Sequence, residues 1–154
     1  MSDGILHVDI RRTFRGGPTI RAAFELDTAA GETLVLFGPS GSGKTTILRC
    51  LAGLDRPDAG RIALGAEVWF ESSTRRSLPP QHRRVGYLPQ GLALFPHLDV
   101  EGNIGFGAAR LAGRARRARV RELVERFGLA GLERRRPAEL SDGQRQRVAL
   151  ARAL

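Results

Sequence analysis

The segment G-P-S-G-S-G-K-T at residues 38–45 is the feature that most constrains the fold of this chain. It has the pattern G-x-x-x-x-G-K-[ST] of a phosphate-binding loop, whose backbone N–H groups surround a triphosphate. The unbroken apolar run 34–37 before it predicts a strand buried on both faces. Apolar residues at helical spacing over 46–52 predict a helix after it. The strand, loop and helix therefore follow in the order that a nucleotide-binding loop requires.

The residue types in the loop match the chemistry of phosphate binding. The helix N-terminus adds partial positive charge, Lys44 supplies a compact charged donor for the β- and γ-phosphates, and Thr45 offers a hydroxyl to Mg²⁺. Lys44 is the only lysine among 25 basic residues, and the planar fork of arginine would not fit the same narrow loop. The predicted phosphate site comprises Gly38, Pro39, Ser40, Gly41, Ser42, Gly43, Lys44 and Thr45.

The composition narrows the class of protein. A length of 154 residues favours one domain, and 42% hydrophobic residues with 27% charged residues are ordinary for a soluble globular chain. No apolar run approaches the ~18 residues that span a bilayer, and the first residues are unlike a signal peptide. The net charge of +9 suggests nucleic acid, but the arginine-rich stretch 110–136 lacks aromatic residues interleaved with its arginines for base stacking, so no nucleic-acid partner is expected. Cys50 is expected to be a small buried residue in a reducing cytoplasm.

Alternation of apolar and polar residues predicts several short strands outside the phosphate loop. A turn at 16–18 joins the first two, and Phe14 in this connection either joins the core or stacks on a flat ring. The strand at 85–88 is short and apolar, as a buried strand is. The predicted strands cover 5–11, the segment around Phe24 and Leu26, 61–64, 68–70 and 85–88.

The later part of the chain shows helical patterns. An amphipathic helix is predicted from Val120, Leu123, Val124 and Phe127, preceded by a crowd of arginines over 114–121. This arginine cluster is either a solvated helix face or a surface for anionic lipid or an acidic partner. Ser141 followed by Gln144 forms a capping box, so a helix begins there, and its N-terminus also suits an anion.

Together these motifs resemble the nucleotide-binding subunit of ATP-binding cassette (ABC) transporters. The phosphate loop is followed by Gln90 after a short strand, and then by L-S-D-G-Q-R-Q-R-V-A-L-A-R-A-L at 140–154, which is similar to the family's signature sequence. The resemblance covers the whole chain. It implies an α/β fold, a RecA-like P-loop nucleoside triphosphatase core with an antiparallel β subdomain and a helical subdomain, incomplete at the C-terminus. The implied segments are a core with phosphate loop and Q-loop at 1–97, a helical subdomain at 98–139, and the signature with its helix at 140–154.

The resemblance also implies roles for individual residues. ATP and Mg²⁺ would be the cofactors, with Thr46 added to the phosphate-binding residues and Thr45 contacting the metal ion. Gln90 would reach Mg²⁺ and the attacking water, and Phe14 lies near the place where the family stacks an aromatic ring on adenine. The signature residues would contact the γ-phosphate of ATP held by a second subunit in a head-to-tail homodimer; these residues are Ser141, Gly143 and Gln144.

Two further stretches resemble importers that a periplasmic binding protein supplies. The segment 94–107 is similar to the region that contacts the coupling helix of the permease subunits, and 68–87 is similar to molybdate importer ATPases, with sulfate and sugar importers as near neighbours. The resemblance implies a peripheral protein on the cytoplasmic side of the inner membrane that couples ATP hydrolysis to import of molybdate or a related oxyanion.

Two alternatives remain. One is a soluble ABC-type ATPase that acts on nucleic acid or the ribosome; the segment from Gln90 to Ser141 is too short for the long coiled coil of the repair type. The other is a nucleotide kinase or GTPase that shares only the phosphate loop, against which the signature counts strongly.

The sequence departs from the family pattern at three places. Asp142 replaces the first signature glycine, and its carboxylate should repel an incoming γ-phosphate unless it points along the helix flank. Pro89 replaces the usual aromatic residue before Gln90. The chain ends at Leu154, before the aspartate, glutamate and histidine that the resemblance implies for Mg²⁺ binding, water activation and γ-phosphate contact.

We therefore expect that the purified 154-residue chain is marginally stable and does not turn over ATP, because in-line attack by water lacks its general base and second metal anchor. A coupled assay for phosphate release checks this expectation. Steady-state hydrolysis above the level of a Lys44→Ala control would contradict it.

Overall fold

The computed structural model describes residues 4–154 and contains two compact units. The first unit extends to Val85 and consists of an antiparallel sheet with one α-helix. The second unit, Gly86–Leu154, contains the remaining three α-helices of the described chain.

The first unit contains five strands and one α-helix. The elements are β1 (Ile5–Thr13), β2 (Thr19–Asp27), α1 (Lys44–Ala52), β3 (Ala59–Leu64), β4 (Glu67–Glu71), β5 (Arg76–Ser77) and a short 3-10 helix at Pro80–His82. The strands form one sheet in the order β2-β1-β3-β4-β5, and every neighbouring pair is antiparallel. The antiparallel strands predicted from residue alternation are confirmed, with β5 as an addition.

One face of this sheet forms the core of the first unit. Leu6, Val8 and Ile10 alternate along β1 and are buried against Cys50 of α1 and Trp69 of β4. Because successive strand residues point to opposite faces, the intervening polar residues of β1 lie on the solvent side. Cys50 is fully buried, as predicted, and burial raises the pKa of its thiol to about 11.

A buried guanidinium, that of Arg83, joins α1 to the sheet. Its Nη1 donates to the carbonyl oxygens of Cys50 at 2.6 Å and Leu51 at 2.8 Å, and its Nε donates to that of Leu78 at 2.9 Å. The guanidinium also lies 5.8 Å from the centroid of the Trp69 ring. Arg83 forms no ion pair within residues 4–154, and burial lowers its pKa. The carbonyl groups at the C-terminal end of α1 compensate the charge.

Two predicted strands are wrong. Residues 34–37 and 85–88 have no regular secondary structure, and the side chains of Val35 and Phe37 are 76% and 99% exposed. An apolar segment becomes a central strand only when neighbouring strands pair with both of its edges and helices cover both faces. No strand of the described chain, residues 4–154, pairs with either segment.

The second unit packs its helices around one apolar cluster. The predicted amphipathic helix is confirmed as Gly113–Arg126 (α3), in which Val120, Leu123 and Val124 are all buried. Within residues 4–154, no helix combines the length and the apolar character that crossing a membrane requires. The division at Val85 falls inside the predicted segment 1–97, and the boundaries at 97 and 139 stay predictions. The helices are α2 (Val100–Gly107), α3 (Gly113–Arg126) and α4 (Asp142–Ala153), with a short 3-10 helix at Pro137–Glu139.

We expect Arg83→Met to lower the free energy of unfolding by about 2–4 kcal/mol, because it removes the donor of the part-buried carbonyl oxygens of Leu51 and Leu78, while that of Cys50 keeps its bond from the N–H of Gly53. Urea denaturation followed by circular dichroism measures this loss. Arg84→Met is the matched control, since Arg84 is exposed and makes no ion pair in the described chain. Equal losses in the two variants would show that Arg83 does not hold α1.

Candidate functional site

The phosphate loop leads directly into the first turn of α1. Gly38, Gly41 and Gly43 have φ angles of 155°, 81° and 93°, and Gly43 is the N-cap of the helix. Because α1 begins at Lys44, the first N–H groups of this helix have no partner within the helix. A loop of this kind offers several N–H donors to one anion.

The ammonium group of Lys44 is held by the loop itself. Its Nζ donates to the carbonyl oxygens of Gly38 at 2.7 Å and Pro39 at 2.8 Å, and to Ser42 Oγ at 3.3 Å. The positive charge is therefore held within the loop, and its contact with a phosphate group stays a prediction.

The end of the loop is packed against β2. A Cβ atom at Gly43 would lie 2.4 Å from Cδ1 of Ile20, which is far inside van der Waals contact. Only glycine fits between β2 and α1 in this backbone conformation.

These residues fit a nucleotide phosphate group with Mg²⁺. The loop supplies N–H donors, an ammonium group and the exposed hydroxyl of Thr45. Residues 4–154 contain no group of three His, Cys, Asp or Glu side chains that could hold a metal ion. Mg²⁺ commonly binds through substrate phosphates and water with few protein ligands, and Thr45 would supply one such ligand.

Phe14 lies in the loop between β1 and β2 and its side chain is 40% exposed. The guanidinium of Arg12 lies 5.6 Å from the centroid of the ring. Phe14 therefore lies outside the core. Of the two roles predicted for this residue, packing in the core is wrong. Its contact with adenine stays a prediction.

Gln90 is exposed in the second unit, in a turn that is anchored to α4. The guanidinium of Arg152 donates to the carbonyl oxygens of Ala93 at 2.6 Å and Leu92 at 2.9 Å, and lies 5.2 Å from the centroid of the Phe95 ring. Burial lowers the pKa of Arg152. Leu92 and Ala93 both have positive φ angles, 56° and 49°, so this contact holds a backbone conformation that such residues rarely adopt.

The predicted capping box at the start of α4 is confirmed. The backbone N–H of Gln144 donates to Ser141 Oγ at 3.3 Å, and the N–H of Ser141 donates to Gln144 Oε1 at 2.8 Å. A Cβ atom added at Gly143 would meet no atom within 4 Å, so the space beside the helix N-terminus is open.

Asp142 extends along the flank of α4. Its side chain is 95% exposed and its Oδ1 pairs with Nη2 of Arg145, one turn further along. Arg145 in turn donates to the carbonyl oxygen of Leu140 at 2.7 Å. The carboxylate is thus paired on the helix side, which weakens but does not remove its repulsion of an anion at the N-terminus.

The structure brings the phosphate-loop residues together in the first unit and the signature residues together in the second. Two residues that position these segments, Arg83 and Arg152, were not predicted. In the sequence, only the fact that these two residues are arginines could have pointed to them. Arginine is common in this chain and also occupies many exposed positions, so this signal is weak. The roles of Gln90 and of the signature residues stay predictions.

A family model described as ABC transporter matches residues 22–154. A sulfate/thiosulfate import ATP-binding protein, CysA, from Xanthomonas campestris pv. campestris is 53% identical over 84% of this chain and 38% of its own length. A molybdenum import ATP-binding protein, ModC, from Paramagnetospirillum magneticum is 45% identical over 97% of this chain and 40% of its own length. The chain thus spans about two fifths of these relatives.

A solved structure, the dimeric post-hydrolysis state of the ATP-binding cassette MJ0796 bound to ADP and Pi, aligns with a TM-score of 0.74 and 27% identity. The alignment covers 97% of this chain and 68% of the solved chain. It confirms the predicted α/β P-loop nucleoside triphosphatase fold class.

We expect Gly43→Ala to cost about 1–3 kcal/mol more free energy of unfolding than Gly41→Ala. Both glycines have positive φ, but a Cβ at Gly41 meets nothing within 4 Å, whereas one at Gly43 meets Ile20. The difference therefore isolates the clash from the backbone strain. Urea denaturation of the two variants measures it, and adding Ile20→Ala to Gly43→Ala should recover part of the loss. Equal costs would show that β2 does not press on the loop.

Proposed function

This chain belongs to the ABC transporter family, and from that premise we propose that it binds Mg-ATP as part of the energising subunit of an importer. The observation that carries the proposal is the position of Lys44. Its ammonium lies within a loop of three left-handed or extended glycines, next to the N-terminus of α1. This combination supplies a full positive charge and several backbone donors to one phosphate group.

Each residue of the loop has a separate part in binding. The N–H groups of the loop and of the first turn of α1 donate to the β- and γ-phosphates, and Lys44 moves its donors from the loop oxygens to the phosphates. The hydroxyl of Thr45 contacts Mg²⁺, and Thr46 extends the set of donors. Mg²⁺ bound here would neutralise part of the phosphate charge. Phe14 stacks its exposed ring on adenine.

We propose that the signature at the start of α4 binds nucleotide held by a second copy of the subunit. The N–H groups at the helix N-terminus, with Ser141 and Gly143, form a second anion-binding surface. The solved structure MJ0796 that this chain resembles is a dimer, which supports a head-to-tail homodimer here. Gln144 is tied to Ser141 by the capping box and would position the serine hydroxyl. Gln90 would sense the γ-phosphate through Mg²⁺ or the attacking water.

The substrate that we propose is an oxyanion, with molybdate as the specific candidate. Relatives named as sulfate/thiosulfate and molybdenum import proteins support an oxyanion, and an Fe(3+) import protein also matches. In this proposal the subunit lies on the cytoplasmic side of the inner membrane, contacts permease subunits through residues 94–107, and works with a periplasmic binding protein. The import relatives favour this function over a soluble ATPase that acts on nucleic acid.

We expect Lys44→Ala to weaken Mg-ATP binding by the 154-residue chain at least about tenfold, which corresponds to about 1.4 kcal/mol. Isothermal titration calorimetry with Mg-ATP measures the change. Arg84→Gln removes the same charge from an exposed position of the same unit and should bind as the wild-type chain does. Wild-type affinity in Lys44→Ala would refute the site, and equal weakening in both variants would show that net charge alone attracts the nucleotide.

A further inference from the structure

The solvent face of the sheet carries two arginines that stand directly opposite each other. Arg11 of β1 pairs in register with Arg21 of β2, so both side chains lie on the same face. This face is opposite the core, because Ile10 next to Arg11 is buried while Arg11 and Arg21 are exposed. Ile20, next to Arg21, points instead toward the phosphate loop at Gly43. The two arginines therefore lie on the other side of the sheet from the loop.

The two arginines differ from their neighbours in making no close ion pair in the described chain, although Asp58 lies near enough to Arg11 for their charges to interact. On the same part of the sheet, Arg12 pairs with Asp58 at 2.7 Å and Arg61 pairs with Glu71 at 3.1 Å. Within residues 4–154, neither Arg11 nor Arg21 forms an ion pair or a side-chain hydrogen bond. Like charges placed directly opposite in an antiparallel pair destabilise the sheet. An anion between the two side chains would convert this repulsion into attraction.

A groove of about 400 Å³ lies beside the pair. Four of its eight lining residues are alanine or glycine, so that there is open space next to the guanidinium groups. At Gly60 a Cβ atom would lie only 2.0 Å from the carbonyl oxygen of Asp9, and this close approach of β3 to β1 keeps the groove free of a side chain there. The lining residues are Asp9, Ile10, Arg11, Arg21, Ala22, Ala23, Ala59 and Gly60.

We propose that Arg11 and Arg21 form a binding site for a small dianionic oxyanion of the sulfate or phosphate type. Guanidinium groups bind such anions through paired, charge-assisted hydrogen bonds. The carboxylate of Asp9 in the same groove limits the size of the anion, because an extended acidic peptide would place further negative charges against it. This site is separate from the phosphate loop and does not depend on the proposed transport function.

The test is a titration of the 154-residue chain with sodium sulfate, followed by amide chemical shifts in ¹H–¹⁵N spectra. It is done in the Lys44→Ala background to weaken binding at the phosphate loop. We expect saturable shifts at Arg11, Ala23 and Ala59, and at least a tenfold loss of sulfate affinity in Arg11→Gln and Arg21→Gln. Arg61→Gln, on the same face but paired with Glu71, should keep the affinity within about twofold.

Either of two results of the titration would overturn the proposal. One is a set of shifts that sodium chloride at equal ionic strength reproduces, which would indicate screening only. The other is the same sulfate affinity in Arg21→Gln as in its parent.

Thermal unfolding gives an independent readout. In low salt, Arg21→Gln should have a higher melting temperature than its parent, because the repulsion between the two arginines is gone. Sulfate should raise the melting temperature of the parent more than that of the variant. A lower melting temperature for Arg21→Gln in low salt, with equal sulfate effects, would also contradict the site.

Discussion

The contact between the buried guanidinium of Arg83 and the C-terminal carbonyls of α1 is the interaction on which the first unit depends. The helix must hold its N-terminus at the phosphate loop, and a short helix alone is marginal in water. Arg83 fixes the far end of α1 to the strand that carries Trp69. A positive charge suits this place, because the helix dipole puts partial negative charge there. The same side chain thus stabilises the sheet packing and orients the helix whose first turn follows the phosphate loop.

Local patterns in the sequence predict the parts of this fold that local interactions determine. The antiparallel strands follow from alternation with turn residues between them, and α1 and α4 follow from apolar spacing and a capping box. Apolar runs at 34–37 and 85–88 carry no such local signal. Whether such a run forms a strand depends on other strands that pair with both of its edges. Its apolar composition is therefore not enough to predict a strand.

In the candidate site, too, some features can be predicted from the sequence and others cannot. The phosphate loop is predictable because its backbone conformation requires glycine at fixed positions, which the packing of Gly43 on Ile20 illustrates. Arg83 and Arg152 act on backbone carbonyls, and a carbonyl has the same chemistry in every residue. No side-chain pattern in the sequence therefore marks these contacts, although they hold the segments on which the site is built.

Lys44 is the only lysine of the chain, and it lies inside the phosphate loop at the first position of α1. A protease that cuts after lysine therefore has a single site within these 154 residues. The peptide bond after Lys44 lies within the helix turn that a bound nucleotide would cover. In addition, Lys44 Nζ donates hydrogen bonds to three oxygen atoms of the loop. Cleavage by such an enzyme would divide the chain into two fragments of known mass. The rate at which the intact chain disappears then reports on opening of the loop.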